Sequence, residues 1–324
     1  MQSDPDCPVC GAHAWKVVER RTFRAADGPG RGAYVALRYR VLFELWSPGA
    51  AELELAFQYC GDCGLLLYAP RPTKAELDAK YRFLEQSRPT SVRPNLGRTG
   101  HLFRRIAPHL PARPVSVLDL GGGTGSLLAE FVRHGHRCYT VDYVEQTIPG
   151  VERLASVLDE LPADRRFDVV ICSHVLEHVA EPRELLTRLV ERLVPDGLGY
   201  VEVPIELLGG MPRMREPVTH INFFTPGATE LLCARAGLEL LHGEVTPLLE
   251  TMLSYDTSFH AIGRRSGGVG QTTGRANVPA EGLARQTERA LRPSLAAGAR
   301  RLAQLGGALL RPPAEWLRRT ARRP

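Results

Sequence analysis

The 324-residue chain has no run of about 18 apolar residues, the length that a membrane-spanning helix requires, so no span is expected. Its start, MQSDPDCPVCGAHAW, lacks a basic stretch followed by an apolar one. No secretory leader is therefore expected, and the cytoplasm is the expected compartment. No internal repeat is present. The glycine-rich turn in VSVLDLGGGTGSLLAEF lacks the third glycine of a dinucleotide fingerprint: counting from Gly121 that position is Ser126, and counting from Gly123 it is Leu128.

What is present fits a soluble globular chain, with 44% hydrophobic and 24% charged residues. The net charge of +5 is uneven: from Arg264 onward thirteen Arg and three Glu give +10, so the preceding 263 residues carry −5. Basicity belongs to the tail, and a nucleic-acid reading of the body does not follow from it. Composition divides the chain into residues 1–70, rich in cysteine and strand-like pieces; 71–112, a helical connector; 113–263, alternating strand and helix patterns; 264–280, a Gly/Ser/Thr-rich linker; and 281–324, an Arg-rich amphipathic tail.

Residues 1–70 hold Cys7 and Cys10 in CPVC and Cys60 and Cys63 in CGDCG. Two Cys-x-x-Cys turns supply four thiolates, a closed donor set that suits structural zinc. Gly61 and Gly64 are expected to permit the second turn. Two disulfides, or four unligated thiols, are the alternatives. The pieces WKVVERR and YVALRYRVLFELW read as half-buried strands between the turns. Cys138, Cys172 and Cys233 lie in apolar or helical contexts and are expected to be buried.

The glycine turn fits Asp119-x-Gly121-x-Gly123-x-Gly125. Asp119 before the turn repels a pyrophosphate and suits a cation, such as the ammonium and sulfonium of a methyl donor. RCYTVDY reads as a second strand ending in Asp142, placed to accept ribose hydroxyls. RFDVVICSHVLEHV reads as a buried strand, Phe167 to Cys172, followed by a polar segment. PRELLTRLVERLVPDG reads as a helix with a glycine stop, LGYVEVP as a strand, TPGATELLCARAGLELL as a helix and turn, and TSFHAIGRR as a last strand. The order implies a mostly parallel doubly wound α/β sheet with ligands at the carboxyl ends of its strands.

The motifs VLDLGGGTG, VDY, FDVVICSHVLEHV, LVPDGLGYVEVP and HINFFTPGATELLCARAGLE make residues 113–263 resemble the class I S-adenosylmethionine-dependent methyltransferases. The segment CPVC…CGDCGLLLYAPRPTKAELDAKY resembles the zinc-ribbon modules that precede some sugar and natural-product methyltransferases. The resemblance implies a seven-stranded Rossmann-like sheet and S-adenosylmethionine as cofactor. It places Asp119, Gly121, Gly123 and Gly125 in the methionine cradle, Asp142 at the ribose, and Ser173 and His174 beside the donor. Relatives often hold the adenine with an acid after the third strand; here that position is Val157, and Asp159 is the nearest acid. The stretch from Asp142 to Phe167 is short, so a helix of the full fold is expected to be reduced or missing.

Methyl transfer needs a positioned acceptor and, for a hydroxyl or acidic carbon, a base. His174, His178 and His220 are the candidates. In HVLEHV the first two share a face if the segment is helical. Metal ligation by this pair with Glu177 is the weaker reading, since the spacing is not His-Glu-x-x-His. A capping or orienting role for Glu177 and His178 is the alternative. His220 matches a pocket histidine of sugar C-methyltransferases, but Thr219 stands where they have a glutamate; Glu202 and Glu206 are candidate substitutes. IELLGGMPRMREPV reads as an active-site loop. The tail suits peripheral contact with an anionic membrane, docking on the acidic body or a second subunit, or a solvated helix. A small-molecule acceptor is the expected substrate. RNA methylation, through the cysteine module and the tail, is the alternative; no aromatic-basic platform and no Asn-Pro-Pro-aromatic signature supports it. A scaffold with a degenerate cofactor site is the third reading.

Overall fold

Side-chain alternation along the central strands sorts the core onto two faces of one sheet. The computed structural model describes residues 1, 5–30, 32–85, 96–206, 217–247, 257–266, 285 and 287. The central strands are β4 (Ser116–Leu120), β5 (Arg137–Val141), β6 (Val151–Ala155), β7 (Phe167–Ser173), β8 (Leu193–Pro204), β9 (Leu238–Pro247) and β10 (Thr257–Arg265). On one face Val117, Val169, Ile171, Tyr200 and Ile262 pack with Leu102 and Ile106 of α3 (Leu96–Ile106) and Phe131 of α4 (Ala129–Arg133). On the other, Leu118, Val170, Cys172, Val201 and Ala261 pack with Leu186 and Leu189 of α5 (Pro182–Val190) and Leu232 of α6 (Pro226–Arg235). Neighbours in sequence thus go to opposite faces, as the strand period of two demands, and both faces are covered.

The sheet order is β6-β5-β4-β7-β8-β10-β9. The first five strands are parallel, and β10 runs antiparallel between β8 and β9. The insertion of this antiparallel strand before the edge separates the sheet from the dinucleotide-binding order, which ends in two parallel strands. The order reverses between β4 and β7, so the crevice outside their carboxyl ends is the expected ligand position. No α-helix lies between Val141 and Phe167, all of which are described; β6 and a single turn at Leu158–Glu160 fill that stretch.

Two sequence expectations change. YVALRYRVLFELW is not a strand: α1 (Ala33–Arg40) continues into a wide helical turn, Val41–Trp46. Its buried Tyr39, Leu42, Phe43 and Trp46 follow the three-and-four spacing of a helix face, which the β-branched and aromatic composition hides. Gly197 does not stop α5. That helix ends at Val190, and Asp196, with φ 59°, and Gly197 lie in an irregular stretch of β8 where the register against β7 shifts.

The N-terminal module is an antiparallel sheet of β1 (Trp15–Arg24), β2 (Glu52–Cys60) and β3 (Leu66–Ala69). α2 (Lys74–Glu85) follows, opened by a reciprocal cap. Glu76 N–H donates to Thr73 Oγ1 at 3.3 Å, and Thr73 N–H donates to the Glu76 carboxylate at 2.8 Å. The module is fused to the large sheet. Leu66 and Phe223 exchange backbone hydrogen bonds of 3.0 and 2.9 Å, and Phe57, Tyr68 and Phe223 form an aromatic cluster. Cys7, Cys60, Cys63 and Leu65 belong to the same apolar cluster as Leu118 and Leu186. Cys138, Cys172 and Cys233 are buried as expected.

Arg264 and Arg265, expected in the linker, instead end β10; the loop 207–216, residues 267–280 and nearly all of the tail lie outside the described residues. Of the tail, Thr287 is buried, and its hydroxyl donates to Gly64 O at 3.1 Å. No described helix is long and apolar enough to cross a membrane.

Candidate active site and cysteine cluster

β4 ends in Asp119 and Leu120, and the chain turns sharply through Gly121, Gly123 and Gly125 with φ of 71°, 57° and 74°. Asp119 is buried, and its Oδ2 has no hydrogen-bond partner among the described residues. Burial pushes this carboxyl up to about 7, against the pull of nearby Arg98. A Cβ on Gly122 would stand 2.5 Å from that same oxygen, so the carboxylate occupies the space that any side chain at 122 would need. The motif's alternate glycines, Gly121, Gly123 and Gly125, give no sign in the sequence that Gly122 is the one against the carboxylate.

Asp142 follows β5 and fastens the loop. Its Oδ2 accepts from Gly123 N–H at 2.9 Å and its Oδ1 from Val144 N–H at 2.8 Å. Each oxygen keeps a lone pair for a further donor. Asp159 forms an ion pair with Arg188 and is 64% exposed; the structure joins it to α5 and not to Asp142 or the glycine loop.

Across the switch point, Ser173 ends β7 beside Glu202 of β8. Ser173 Oγ donates to Glu202 Oε2 at 2.7 Å and accepts from the Arg98 guanidinium at 2.5 Å. Arg98 also pairs with Glu202 at 3.0 Å, and Ser258 Oγ donates to the other Glu202 oxygen at 3.0 Å. Burial opposes charge on Glu202, but His174 and Arg98 hold its carboxyl well below the usual range. Arg98 lies in a stretch of turn-forming residues whose sequence offers no sign of α3 or of a partner 104 positions away.

HVLEHV is not a helix face. His174 has φ 57°, and only Leu176–His178 make a single tight helical turn. His174 sits between two carboxylates, with Nδ1 3.2 Å from Glu177 Oε1 and Nε2 3.7 Å from Glu202. Burial works against its charge, but Glu177 and Glu202 raise its pKa above the ordinary value. Burial likewise opposes charge on Glu177, but the imidazole cluster around it, with His174 in direct contact, holds its carboxyl below the usual range. Enclosure lowers His178 to about 3. The neutral ring donates Nδ1–H to Thr219 O at 2.7 Å and meets His220 edge-on, centroids 4.8 Å apart. His220 Nδ1 is 3.0 Å from Glu206 Oε2, both side chains buried. Of the two acids considered beside His220, Glu206 is the one that contacts it, whereas Glu202 contacts Ser173, Arg98 and Ser258. Glu177, His178 and His220 also bring one donor atom each within 4.8 Å of one another.

A match to the methyltransferase domain family model covers residues 92–243. The ubiquinone biosynthesis O-methyltransferase of Rickettsia bellii is 28% identical over 116 residues, covering 32% of this chain and 48% of that protein. Its namesake from Rickettsia akari is 25% identical over 117 residues, covering 32% and 47%. The chain spans about half the length of these curated relatives. A 1,6-didemethyltoxoflavin-N1-methyltransferase from Burkholderia thailandensis, solved with S-adenosylhomocysteine, resembles 66% of this chain and 95% of its own, with TM-score 0.48 and 20% identity. The domain match begins before α3, so the helix that carries Arg98 lies inside it.

The four module cysteines also converge. Cys7 and Cys63 Sγ are 3.5 Å apart, as are Cys10 and Cys60, and all four sulfurs lie within 4.8 Å of one another. Four sulfurs at about 2.3 Å from one tetrahedral ion are separated by roughly 3.8 Å, so the cluster fits a zinc-sized cation. Gly11 and Gly64 turn the two knuckles with φ of 75° and 79°. Gly61, expected to share in the turn, instead leaves room for Ala14 O, which a Cβ would meet at 3.0 Å.

Proposed function

We propose that the chain binds S-adenosylmethionine outside the carboxyl ends of β4 and β7 and transfers its methyl group to a small-molecule acceptor, a sugar, glycan or natural product. The observation that carries this reading is Asp119, a buried carboxylate at the foot of a glycine cradle whose Oδ2 has no hydrogen-bond partner among the described residues. A buried carboxylate without a partner is costly, and a cationic ligand removes that cost. The methionyl ammonium is such a ligand, and the ribose hydroxyls suit the remaining lone pairs of Asp142. When bound, the cofactor supplies an activated methyl electrophile. The relatives' name, a methyltransferase of ubiquinone biosynthesis, supports a small-molecule acceptor.

The chain's own groups position the acceptor and take its proton. Glu206 fixes the ring of His220 through Nδ1–H, which leaves Nε2 as the basic atom, the logic of a carboxylate-oriented general base. His174, held between Glu177 and Glu202, serves as a fixed positive group. In this reading the four cysteines hold a structural zinc. The test is labelled methyl transfer from S-adenosylmethionine into cell extract fractionated into small molecules, lipids, RNA and protein. Label in small molecules or lipid-linked glycans is expected; label in RNA alone overturns the acceptor assignment.

Two variants refine the assignment. His220→Ala is expected to slow transfer by about 100-fold or more while cofactor affinity holds, since a positioned base contributes roughly 10²–10⁴. An unchanged rate removes His220 as the base. Gly122→Ala drives a methyl group against Asp119 and is expected to weaken cofactor binding in calorimetry by at least about tenfold, about 1.4 kcal/mol. Equal affinity would show that the Asp119 carboxylate does not set the cradle.

A further inference from the structure

The face of the sheet that carries Tyr200 and Glu202 continues outward onto β10 and the edge strand β9. His260 on β10 is the cross-strand partner of Glu202 on one side and of Glu244 on the other. His242 and Glu244 are two apart on β9, so their side chains emerge on one face. Two positions from one strand and their cross-strand neighbour therefore converge. His242 Nε2 lies 3.3 Å from Glu244 Oε2, and His260 Nε2 lies 3.6 Å from the same oxygen. One donor atom from each falls within 4.8 Å of the others.

We propose that His242, Glu244 and His260 form a second metal site, a three-donor centre for a divalent transition ion such as zinc, separate from the cysteine cluster. Donors at about 2.1 Å from a tetrahedral ion stand roughly 3.4 Å apart, close to both nitrogen–oxygen spacings here. His260 is 1% exposed, and its Nε2 has no hydrogen-bond partner among the described residues. That nitrogen faces the half-exposed Glu244 and His242, which open the cluster to entry from solvent. A surface ion pair accounts for His242 and Glu244 but leaves the buried His260 nitrogen unsatisfied; an ion satisfies all three. The ring of His260 is held in place, nearly parallel to Tyr200 at 6.0 Å between centroids and tilted against His242 at 5.9 Å. Arg105 faces the same cluster as a cation, and Glu202 and Glu244 face it as anions. Two imidazoles and one carboxylate leave a fourth position open and favour zinc, cobalt or nickel over magnesium and calcium. The ion would staple the edge strand to β10 one strand away from Glu202.

The test is cobalt titration of the full-length, tag-free chain with its cysteine-bound metal in place, followed by absorption spectroscopy and equilibrium dialysis. One equivalent of cobalt is expected to bind with ligand-field bands and without the sulfur-to-cobalt charge transfer of a thiolate site. His242→Ala and Glu244→Gln, both at half-exposed positions, are each expected to weaken it by at least about tenfold, with thermal unfolding unchanged before cobalt is added. His260→Gln is expected to abolish it. No uptake beyond the cysteine site, or uptake that survives His242→Ala combined with Glu244→Gln, overturns the proposal.

Discussion

Cys60→Ser is expected to lower the melting temperature by at least about 10 °C and to release one equivalent of zinc, because it removes one of four converging thiolates. Structural zinc contributes apparent binding energies of about 10–16 kcal/mol in small modules, as much as the entire stability of an ordinary domain, about 5–15 kcal/mol. The loss would not stay local. Cys7, Val9, Cys60, Cys63 and Leu65 share one apolar cluster with Leu118 of β4 and with Leu186 and Leu189 of α5. Leu66 and Phe223 stitch β3 to the segment that follows His220. A module tethered by a free linker would melt alone; this one is expected to shift the calorimetric transition of the whole chain. Scanning calorimetry with a colorimetric zinc assay checks the expectation. An unchanged transition in Cys60→Ser, or a wild-type chain with no bound zinc, contradicts it.

Asp119→Asn is expected to do two opposite things: stabilise the cofactor-free fold above pH 7 and weaken cofactor binding. Burial raises the folded-state pKa of Asp119 from 3.8 to about 7. With the folded value above the unfolded one, the folded state holds more protons between these limits, so stability falls as pH rises through that window. The loss amounts to about 4 kcal/mol by pH 7, and none of it applies to an asparagine. The melting temperature of the variant should therefore pull ahead of wild type from about pH 4 to pH 7 and keep a constant lead above. Cofactor affinity should move the other way. Below pH 7 the wild-type carboxyl must lose a proton to meet a cationic ammonium, so affinity drops by about tenfold per pH unit. The variant should bind more weakly at pH 8 and show no such slope. Parallel pH curves for the two proteins would remove Asp119 from the cofactor's charge environment.

The α/β sheet and the placement of the loop were legible because their signals are local. An apolar strand, a terminal acid and closely spaced glycines fall within ten residues at Asp119–Gly125, and Asp142 and Ser173 end strands on either side of β4. The missing helix between β5 and β7 was legible from length alone. What escaped the sequence depends on distant partners. Glu206 meets His220 from 14 residues away, and Arg98 meets Ser173 from 75. His260 faces Glu244 only because β10 runs antiparallel beside β9. Helical spacing in Tyr39, Leu42, Phe43 and Trp46 was masked by residue types that favour strands. Asp159 is the acid nearest in sequence to the adenine-contacting position, and its ion pair with Arg188 of α5 is another partner that sequence distance hides.

The measurement that bears most directly on the account is isothermal calorimetry of S-adenosylmethionine with the wild-type chain and with Asp142→Ala. One equivalent bound by wild type, and affinity lower by at least about tenfold in the variant, is the predicted result, since Asp142 fastens Gly123 and, in the proposed reading, accepts the ribose hydroxyls. No binding to wild type, or equal affinity in the two proteins, would contradict the assignment of this loop to a methyl donor.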